Sequence, residues 1–421
     1  MPDLVPDPSP PADDIDANGD VTTKQHNEIV ARLRAARPTA NKVVTTDSAG
    51  LFTTSSVGDT QIESNANKNV ASGYAGLGAD KKLDSAQMPA VVYPPKFTWR
   101  EIGRTTLGVA GDTITVSGLP VFKELMILTA ILQSGTIDAS LRFNNDSGSN
   151  YAHRQQINGA ADTTTVSQTG ILIRGSSTDP IGFSVYKITN VSTSEKILEG
   201  IALTNNGNGA GNASSRRETA GKWANTVDSI TRIDLINAQS GDFTSGSEVV
   251  VLALTDNETY PEFWTELGST TLTSTSTPIT VSGLAAKKYL MFQCGIVADV
   301  NTTTIGLTFN NDGGSNYAYR AALDGAADTT SVSQVSILPG NTLTVQGSYL
   351  IGFVINISAN EKLAIMNMNR ASTAGANAPS RQETVGKWAN TSSQITRVDI
   401  IKNSGTGIFG AGSKLIVWGS D

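Results

Sequence analysis

The 421-residue chain contains few of the residues on which most metalloenzymes and disulfide-linked proteins depend, with one cysteine and two histidines. Because Cys294 stands alone, no disulfide can form within the chain, which suits folding in a reducing compartment. The same scarcity argues against a Cys/His zinc site and a Cys–His catalytic pair. There is also no Gly-x-Ser-x-Gly motif and no P-loop motif. We therefore predict a protein that is not an enzyme and that carries no organic cofactor.

Charged and hydrophobic residues are also scarce, at 16% and 38% of the chain. Their place is taken by Thr, Ser, Asn and 40 glycines, which disfavours long helices and favours short strands joined by tight turns. A formal net charge of −7 argues against nucleic-acid binding, which depends on an excess of positive charge. The densest apolar run, 125–132, is too short to span a bilayer, and residues 1–6 do not resemble a signal peptide. We expect synthesis in the cytoplasm and no membrane insertion.

An internal repeat dominates the chain. Corresponding segments recur at an offset of 165 or 166 residues, so a whole domain has been duplicated. Within each copy, β-branched runs alternate with turns rich in Asn, Asp and Gly, and no alternation of strands with helices is present. This pattern predicts an all-β fold with two tandem jelly-roll-like β-sandwich domains, placed one after the other at 96–258 and 259–421. The matching pairs are 99–103 with 264–268, 114–119 with 279–284, 143–152 with 309–318, 159–164 with 325–330, and 221–226 with 386–391.

The N-terminal region has a different composition. Residues 1–21 are rich in Pro and Asp and are predicted to form a flexible tail, and residues 22–37 a short helix ended by Pro38. Residues 38–95 have too few apolar side chains to form a core alone, which favours an extended stalk of intertwined chains.

The stretch before the helix begins like a calcium-binding loop, with oxygen ligands at Asp14, Asp16 and Asn18, followed by Gly19 and Asp20. Its twelfth position is Gln25 and not the bidentate acidic residue that such loops need. A turn followed by a helix cap is the alternative interpretation.

Residues that the two copies share are predicted to be scaffold. Trp223 and Trp388 are expected to anchor the cores, the alternative being a platform for sugar stacking. Asp146 and Asp312 are expected to cap turns, with calcium binding as the alternative. Specific binding should then lie where the copies differ, on polar loops suited to hydroxyl-rich ligands, unless these are ordinary solvated loops. The candidate ligand-binding residues are His153, Gln155, Asn205, Asn206, Asn208, Tyr319, Asn369 and Arg370.

Residues 72–89, from Ser-Gly-Tyr-Ala-Gly-Leu-Gly to Ser-Ala-Gln-Met-Pro, resemble a segment that is widespread in phage tail-fibre and minor virion proteins. The Gly-Lys-Trp segments at 221 and 386 and the Phe-Asn-Asn-Asp turns at 143 and 309 are similar to modules of phage structural proteins. The resemblance implies a virion component. Lys81 and Met88 depart from the usual Gly and Leu of the first segment.

The resemblance implies a tail fibre or receptor-binding fibre that attaches to the particle by its N-terminal region and contacts host polysaccharide through its sandwiches. A homotrimer is implied by the same resemblance. A capsid head fibre or decoration protein is the alternative, since it would use the same modules. A fibre-borne depolymerase ranks third, because glycoside hydrolysis needs two nearby carboxylates and Glu218 or Glu383 could supply one.

Overall fold

The computed structural model describes Ala31 and residues 42–46, 52–56, 96–299, 303–343, 347–371 and 374–421. The predicted tail 1–21, with Asp14, Asp16, Asn18 and Asp20, lies outside the described residues. So do the motif at 72–89 and all of the predicted helix 22–37 except Ala31. Within the predicted stalk 38–95 the structure describes one antiparallel hairpin, β1 (Lys42–Thr46) and β2 (Phe52–Ser56), with Val44 opposite Thr54.

The first copy of the repeat forms an antiparallel two-sheet sandwich. Its larger sheet has the order β3-β15-β5-β10-β11-β12-β7-β8, with β14 beside β5, and its smaller sheet has the order β4-β13-β6-β9. The strands are β3 (Thr98–Thr106), β4 (Thr113–Ser117), β5 (Glu124–Ser134), β6 (Ile137–Phe143), β7 (Tyr151–Ile157), β8 (Thr163–Gln168), β9 (Ile171–Ser177), β10 (Ile181–Thr189), β11 (Lys196–Thr204), β12 (Ser215–Trp223), β13 (Arg232–Ile236), β14 (Asp242–Phe243) and β15 (Glu248–Thr255).

The second copy repeats this arrangement. Its larger sheet has the order β16-β27-β18-β23-β24-β25-β20-β21, and its smaller sheet has the order β17-β26-β19-β22. The strands are β16 (Thr265–Thr271), β17 (Ile279–Ser282), β18 (Tyr289–Ile296), β19 (Thr303–Phe309), β20 (Tyr317–Leu323), β21 (Thr329–Gln334), β22 (Ile337–Leu343), β23 (Ser348–Ile355), β24 (Lys362–Arg370), β25 (Ser380–Trp388), β26 (Arg397–Ser404) and β27 (Lys414–Ser420).

The prediction of an all-β fold with two β-sandwiches is confirmed, and no helix is present among the described residues from 96 onwards. In each copy the first four strands alternate between the larger and the smaller sheet, as in a jelly roll. No helix in the described parts of the chain is long and apolar enough to cross a membrane.

Each sandwich has its own hydrophobic core between its two sheets. Trp223 and Trp388 are 1% exposed in these cores, which confirms them as core anchors. The indole N–H of Trp223 donates to the carboxylate of Asp146 at 2.7 Å, and that of Trp388 donates to Asp312 at 2.6 Å.

The two aspartates also shape their turns. Asp146 and Asp312 each accept the backbone N–H two residues further on, at 2.8 Å, which confirms the predicted turn caps. One polar loop is thereby tied to one buried indole in each copy, and an indole held in this way has no free face for a sugar.

A third hydrophobic cluster joins the two copies, because the outer faces of their larger sheets pack against each other. Residues 95–421 consequently form one compact unit with four stacked sheets, where the sequence suggested two sandwiches in series. The central strands are covered on both faces, which explains why β5 and β15 contain continuous apolar runs instead of alternating ones. The cluster includes Met126, Leu128, Phe183, Val250 and Leu252 from the first copy and Trp264, Tyr289, Ile355, Ile365 and Val385 from the second copy.

Candidate functional site

The loop that follows β11 in the first copy is docked onto the second copy. The ammonium group of Lys387 donates to the backbone oxygens of Asn205, at 3.0 Å, and Gly207, at 2.6 Å. The carboxylate of Glu361 accepts the Asn205 side-chain amide at 3.2 Å and the backbone N–H of Gly209. Lys387 and Glu361 also pair with each other at 3.2 Å in a buried setting. The loop therefore fastens the two copies together.

A buried ion pair closes the same side of the interface. Arg216 on β12 of the first copy donates to Asp328 of the second copy at 2.6 Å, and their side chains are 2% and 0% exposed. Arg216 also donates to Glu218 at 2.6 Å and to Gln156 at 3.2 Å, so its guanidinium is well satisfied. Arg320 donates to the backbone oxygen of Ser214 at 3.1 Å.

The other side of the interface is open. The residues equivalent to Arg216 and Asp328 are Arg381 and Asp162, but each of these pairs within its own copy. Arg381 pairs with Glu383 at 2.8 Å, and Asp162 pairs with Arg154 at 3.8 Å. Arg381 and Asp162 therefore do not pair with each other across the interface, as Arg216 and Asp328 do. On their side of the interface, a groove of about 450 Å³ opens between the two large sheets.

The groove has an apolar floor and charged walls. Val185, Ile201, Phe353 and Ile365 supply the floor, and the equivalent strands β11 and β24 contact each other there. The polar and charged side chains that line the walls are Arg154, Gln156, Asp162, Lys187, Glu199, Glu218, Asn367, Arg381 and Glu383. Such a surface can hydrogen-bond to a polar ligand while one aromatic ring covers an apolar face of it.

Two equivalent carboxylates, Glu218 and Glu383, lie within electrostatic range of each other in the groove. Burial raises the pKa of Glu218, and the charges of Glu383 and Asp328 add to this rise, while Arg216 opposes it. A hydroxyl or cationic donor from a ligand would therefore stabilise the charged form of Glu218.

The structure places His153 and Gln155, two of the predicted ligand-binding residues, inside the first sandwich, 6% and 3% exposed. The Gln155 amide contacts the backbone oxygen of Leu172 and donates to Thr219 at 3.0 Å, and it accepts from Arg217. Burial lowers the pKa of His153, and the nearby charge of Arg217 lowers it further. Neither side chain faces solvent in this structure.

Tyr319, the counterpart of His153, is likewise buried, in the core of the second copy, at 6% exposure. Asn205 is fully buried under Glu361, whereas Asn206 and Asn208 are exposed on the docked loop. Asn206 donates to the backbone oxygen of Ala213 at 2.9 Å, and Asn208 accepts from Asn205 at 3.0 Å.

Asn369 is exposed and Arg370 half-buried at the end of β24. The eight predicted residues therefore do not converge on one surface, and a binding role for the exposed ones stays a prediction.

The groove residues were not identified from the sequence because most of them are shared between the copies or lie on regular strands. Glu218 and Glu383, which occupy the same position in the repeat, are the exception, since the sequence offered one of them as a candidate catalytic carboxylate. The available signal was the charged, alternating pattern Arg-Arg-Glu-Thr at 216–219, with Arg-Gln-Glu-Thr at 381–384, on strands that a sandwich would otherwise expose.

In the described part of the chain, no group of three or more His, Cys, Asp or Glu side chains is arranged to hold a metal ion. Comparison with protein-family models gives no match, and comparison with curated protein sequences gives none either.

Proposed function

We propose that this chain is a non-enzymatic virion component of a bacteriophage, a tail fibre or receptor-binding fibre that holds the particle through its N-terminal region. The paired sandwiches are its adhesive head, and the groove between them binds a polar surface glycan. The observation that carries the adhesive role is the groove itself, which combines Phe353, Asn367 and facing carboxylates on one open side of an otherwise closed interface. The phage assignment is supported by the resemblance of residues 72–89 to fibre proteins.

The adhesive role is tested by binding of the purified full chain to host surface polysaccharide. Replacing Asn367 and Glu383, as Asn367→Ala with Glu383→Gln, removes one amide and one negative charge from the groove wall without touching the closed side. Loss of one hydrogen bond to a charged group and one to a neutral group should weaken binding about ten- to hundredfold. Glu195→Gln is the matched control, because the Glu195 side chain is half-buried and pairs with Lys222 outside the groove. Equal binding by both variants would contradict the proposal.

A head fibre or decoration protein is the alternative placement on the particle. Crosslinking of residues 22–37 to a tail component would support the tail fibre, and recovery of the chain on DNA-filled heads that lack tails would support the head fibre. Imaging of whole particles labelled on this protein separates the two directly.

A depolymerase is the second candidate activity, and one observation favours it. Glu218 has a raised pKa and shares its groove with Glu383, and glycosidases use two nearby carboxylates, one of which acts as a general acid. Under the proposal of adhesion alone, incubation with host polysaccharide generates no new reducing ends. Reducing ends that disappear in a Glu218→Gln variant would establish cleavage instead.

A further inference from the structure

A second cavity, of about 240 Å³, lies inside the first sandwich between its two sheets. None of the residues that line it takes part in lining the groove. Its volume is slightly below the roughly 300–1,000 Å³ of most small-molecule sites, so it suits one charged group and the atoms next to it.

Two arginines line this cavity, Arg174 on β9 and Arg217 on β12. Arg174 is 4% exposed, and it donates one N–H to the backbone oxygen of Asp179 at 2.6 Å. Its Nε and Nη1 atoms are buried and have no hydrogen-bond partner. Buried guanidinium N–H groups without acceptors are costly, since an unmade hydrogen bond at a charged group forfeits its full desolvation energy.

Glycines make room for both guanidinium groups. A Cβ atom at Gly182 would lie 2.7 Å from Nη1 of Arg174, and one at Gly175 would lie 2.6 Å from Nη2 of Arg217. A larger residue at either position would force the neighbouring guanidinium group to shift.

The second copy shows that the fold does not need this polar cavity. A row of inward-facing residues crosses four neighbouring strands as Thr129, Ser184, Ala202 and Arg217 in the first copy. The same row in the second copy is Cys294, Leu350, Met368 and Gln382. Arg174 is replaced by Gly340, and the sulfur of Met368 occupies the space where a Cβ atom of residue 340 would lie. The second copy thus fills with apolar atoms the space that the first copy keeps open and cationic.

From this contrast we infer that the cavity of the first sandwich is an oxyanion-binding site, which takes a carboxylate or phosphate group through Arg174 and Arg217. Arginine forks match the planar geometry of carboxylates and the oxygens of phosphates. The Thr129 and Ser184 hydroxyls bond to each other at 2.6 Å and line the same cavity. The hydroxyl that accepts this bond keeps its own hydrogen to donate to the bound group.

One acidic side chain, Asp179, also lines the cavity. Its carboxylate already accepts the Thr204 hydroxyl at 2.6 Å and the backbone N–H of Gly207 at 3.0 Å. With two arginines and one aspartate, the site keeps one net positive charge for a ligand. The site is independent of the groove, so its test does not depend on glycan adhesion.

The test measures saturable binding of inorganic phosphate and of D-glucuronate to the full chain, by the rise in melting temperature and by calorimetry. Glucose at the same concentration and sodium chloride at the same ionic strength are the reference solutes. Saturable binding of either anion by the wild-type chain is expected, and the anion that binds identifies phosphate or carboxylate as the group. No saturable binding of either at tens of millimolar would overturn the inference.

Two variants locate the site. The double variant Arg174→Gly with Ala202→Met introduces the residues that fill this space in the second copy, Gly340 and Met368. The single variant Arg217→Gln introduces the residue equivalent to Gln382. Each should weaken anion binding about ten- to hundredfold, as expected for the loss of a charged hydrogen-bond donor. Arg142→Gln, which removes a partly exposed arginine from the smaller sheet, should bind like the wild type. If the double variant does not fold, Arg217→Gln alone decides, and unchanged affinity there would refute the assignment.

Discussion

The buried ion pair between the copies can be tested against its own exposed counterpart. Asp328→Ala removes the partner of Arg216 at a point where both side chains are 2% exposed or less. Removing one partner of a buried pair costs about 3–5 kcal/mol when the remaining charge is uncompensated. Because Arg216 keeps its ion pair with Glu218 at 2.6 Å, we expect a loss toward the lower end of this range. Asp162→Ala makes the same change at the equivalent position of the first copy, where the aspartate is 45% and its partner Arg154 is 60% exposed. An exposed pair contributes only about 0–1 kcal/mol.

Urea denaturation of both variants, followed by tryptophan fluorescence, measures the two free energies of unfolding. The expected difference between the variants is roughly 2–5 kcal/mol, given the two ranges. Equal destabilisation by the two alanine variants would refute the conclusion that the interface is closed only on the Asp328 side.

Three further predictions concern the interface and the core. Gly159→Ala and Gly325→Ala strain equivalent left-handed turns of the two copies, with φ near +75°. Only at Gly159 would the new Cβ atom lie 2.4 Å from the backbone N of Asp328. Gly159→Ala should therefore lower the unfolding free energy by about 1–3 kcal/mol more than Gly325→Ala in urea denaturation. Burial alone would raise the pKa of Glu248, yet the Thr106 hydrogen bond and the charges of Lys288 and Arg104 lower it below its usual value of 4.5. The stability that Glu248 contributes should therefore be present at neutral pH and be lost as the pH falls through the folded-state pKa. Over the same pH range, the difference in unfolding free energy between the wild type and Glu248→Gln should shrink. Burial raises the pKa of the Cys294 thiol, so a thiol reagent should modify it only at the rate of unfolding, and fast modification of the native chain would contradict its burial.

The parts of the fold that could be predicted from the sequence are those that depend on local patterns. The constant offset of the repeat predicted two copies of one domain. Turn sequences such as Asn-Asn-Asp predicted both the turns and the aspartates that cap them. Trp223 and Trp388 were correctly assigned to the cores because a large apolar side chain that follows a turn and precedes an apolar strand has few other positions in a sandwich.

The interface between the copies could not be predicted, because equivalent residues have different environments there. Lys222 pairs with Glu195 with side chains 44% and 40% exposed, whereas the equivalent Lys387 and Glu361 are almost fully buried against the Asn205 loop. Identical residues at identical repeat positions carry no signal that separates these two states. The difference arises from tertiary packing, and only the unlike loop at 205–212 hinted at it.

Asymmetry also determines how many sites one chain has. Packing of equivalent faces would give a duplicated chain two equivalent grooves, as in an isologous dimer. Among the described residues, the Asn205 loop and the Arg216–Asp328 pair occupy one of these positions, and the groove lies at the other, between Arg381 and Asp162. At the described position equivalent to the arginine cavity, Gly340 stands in place of Arg174, and the sulfur of Met368 fills the space. We therefore expect one ligand per chain at each site, and not one per copy of the repeat. Any gain in affinity from multivalency must then come from the association of several chains.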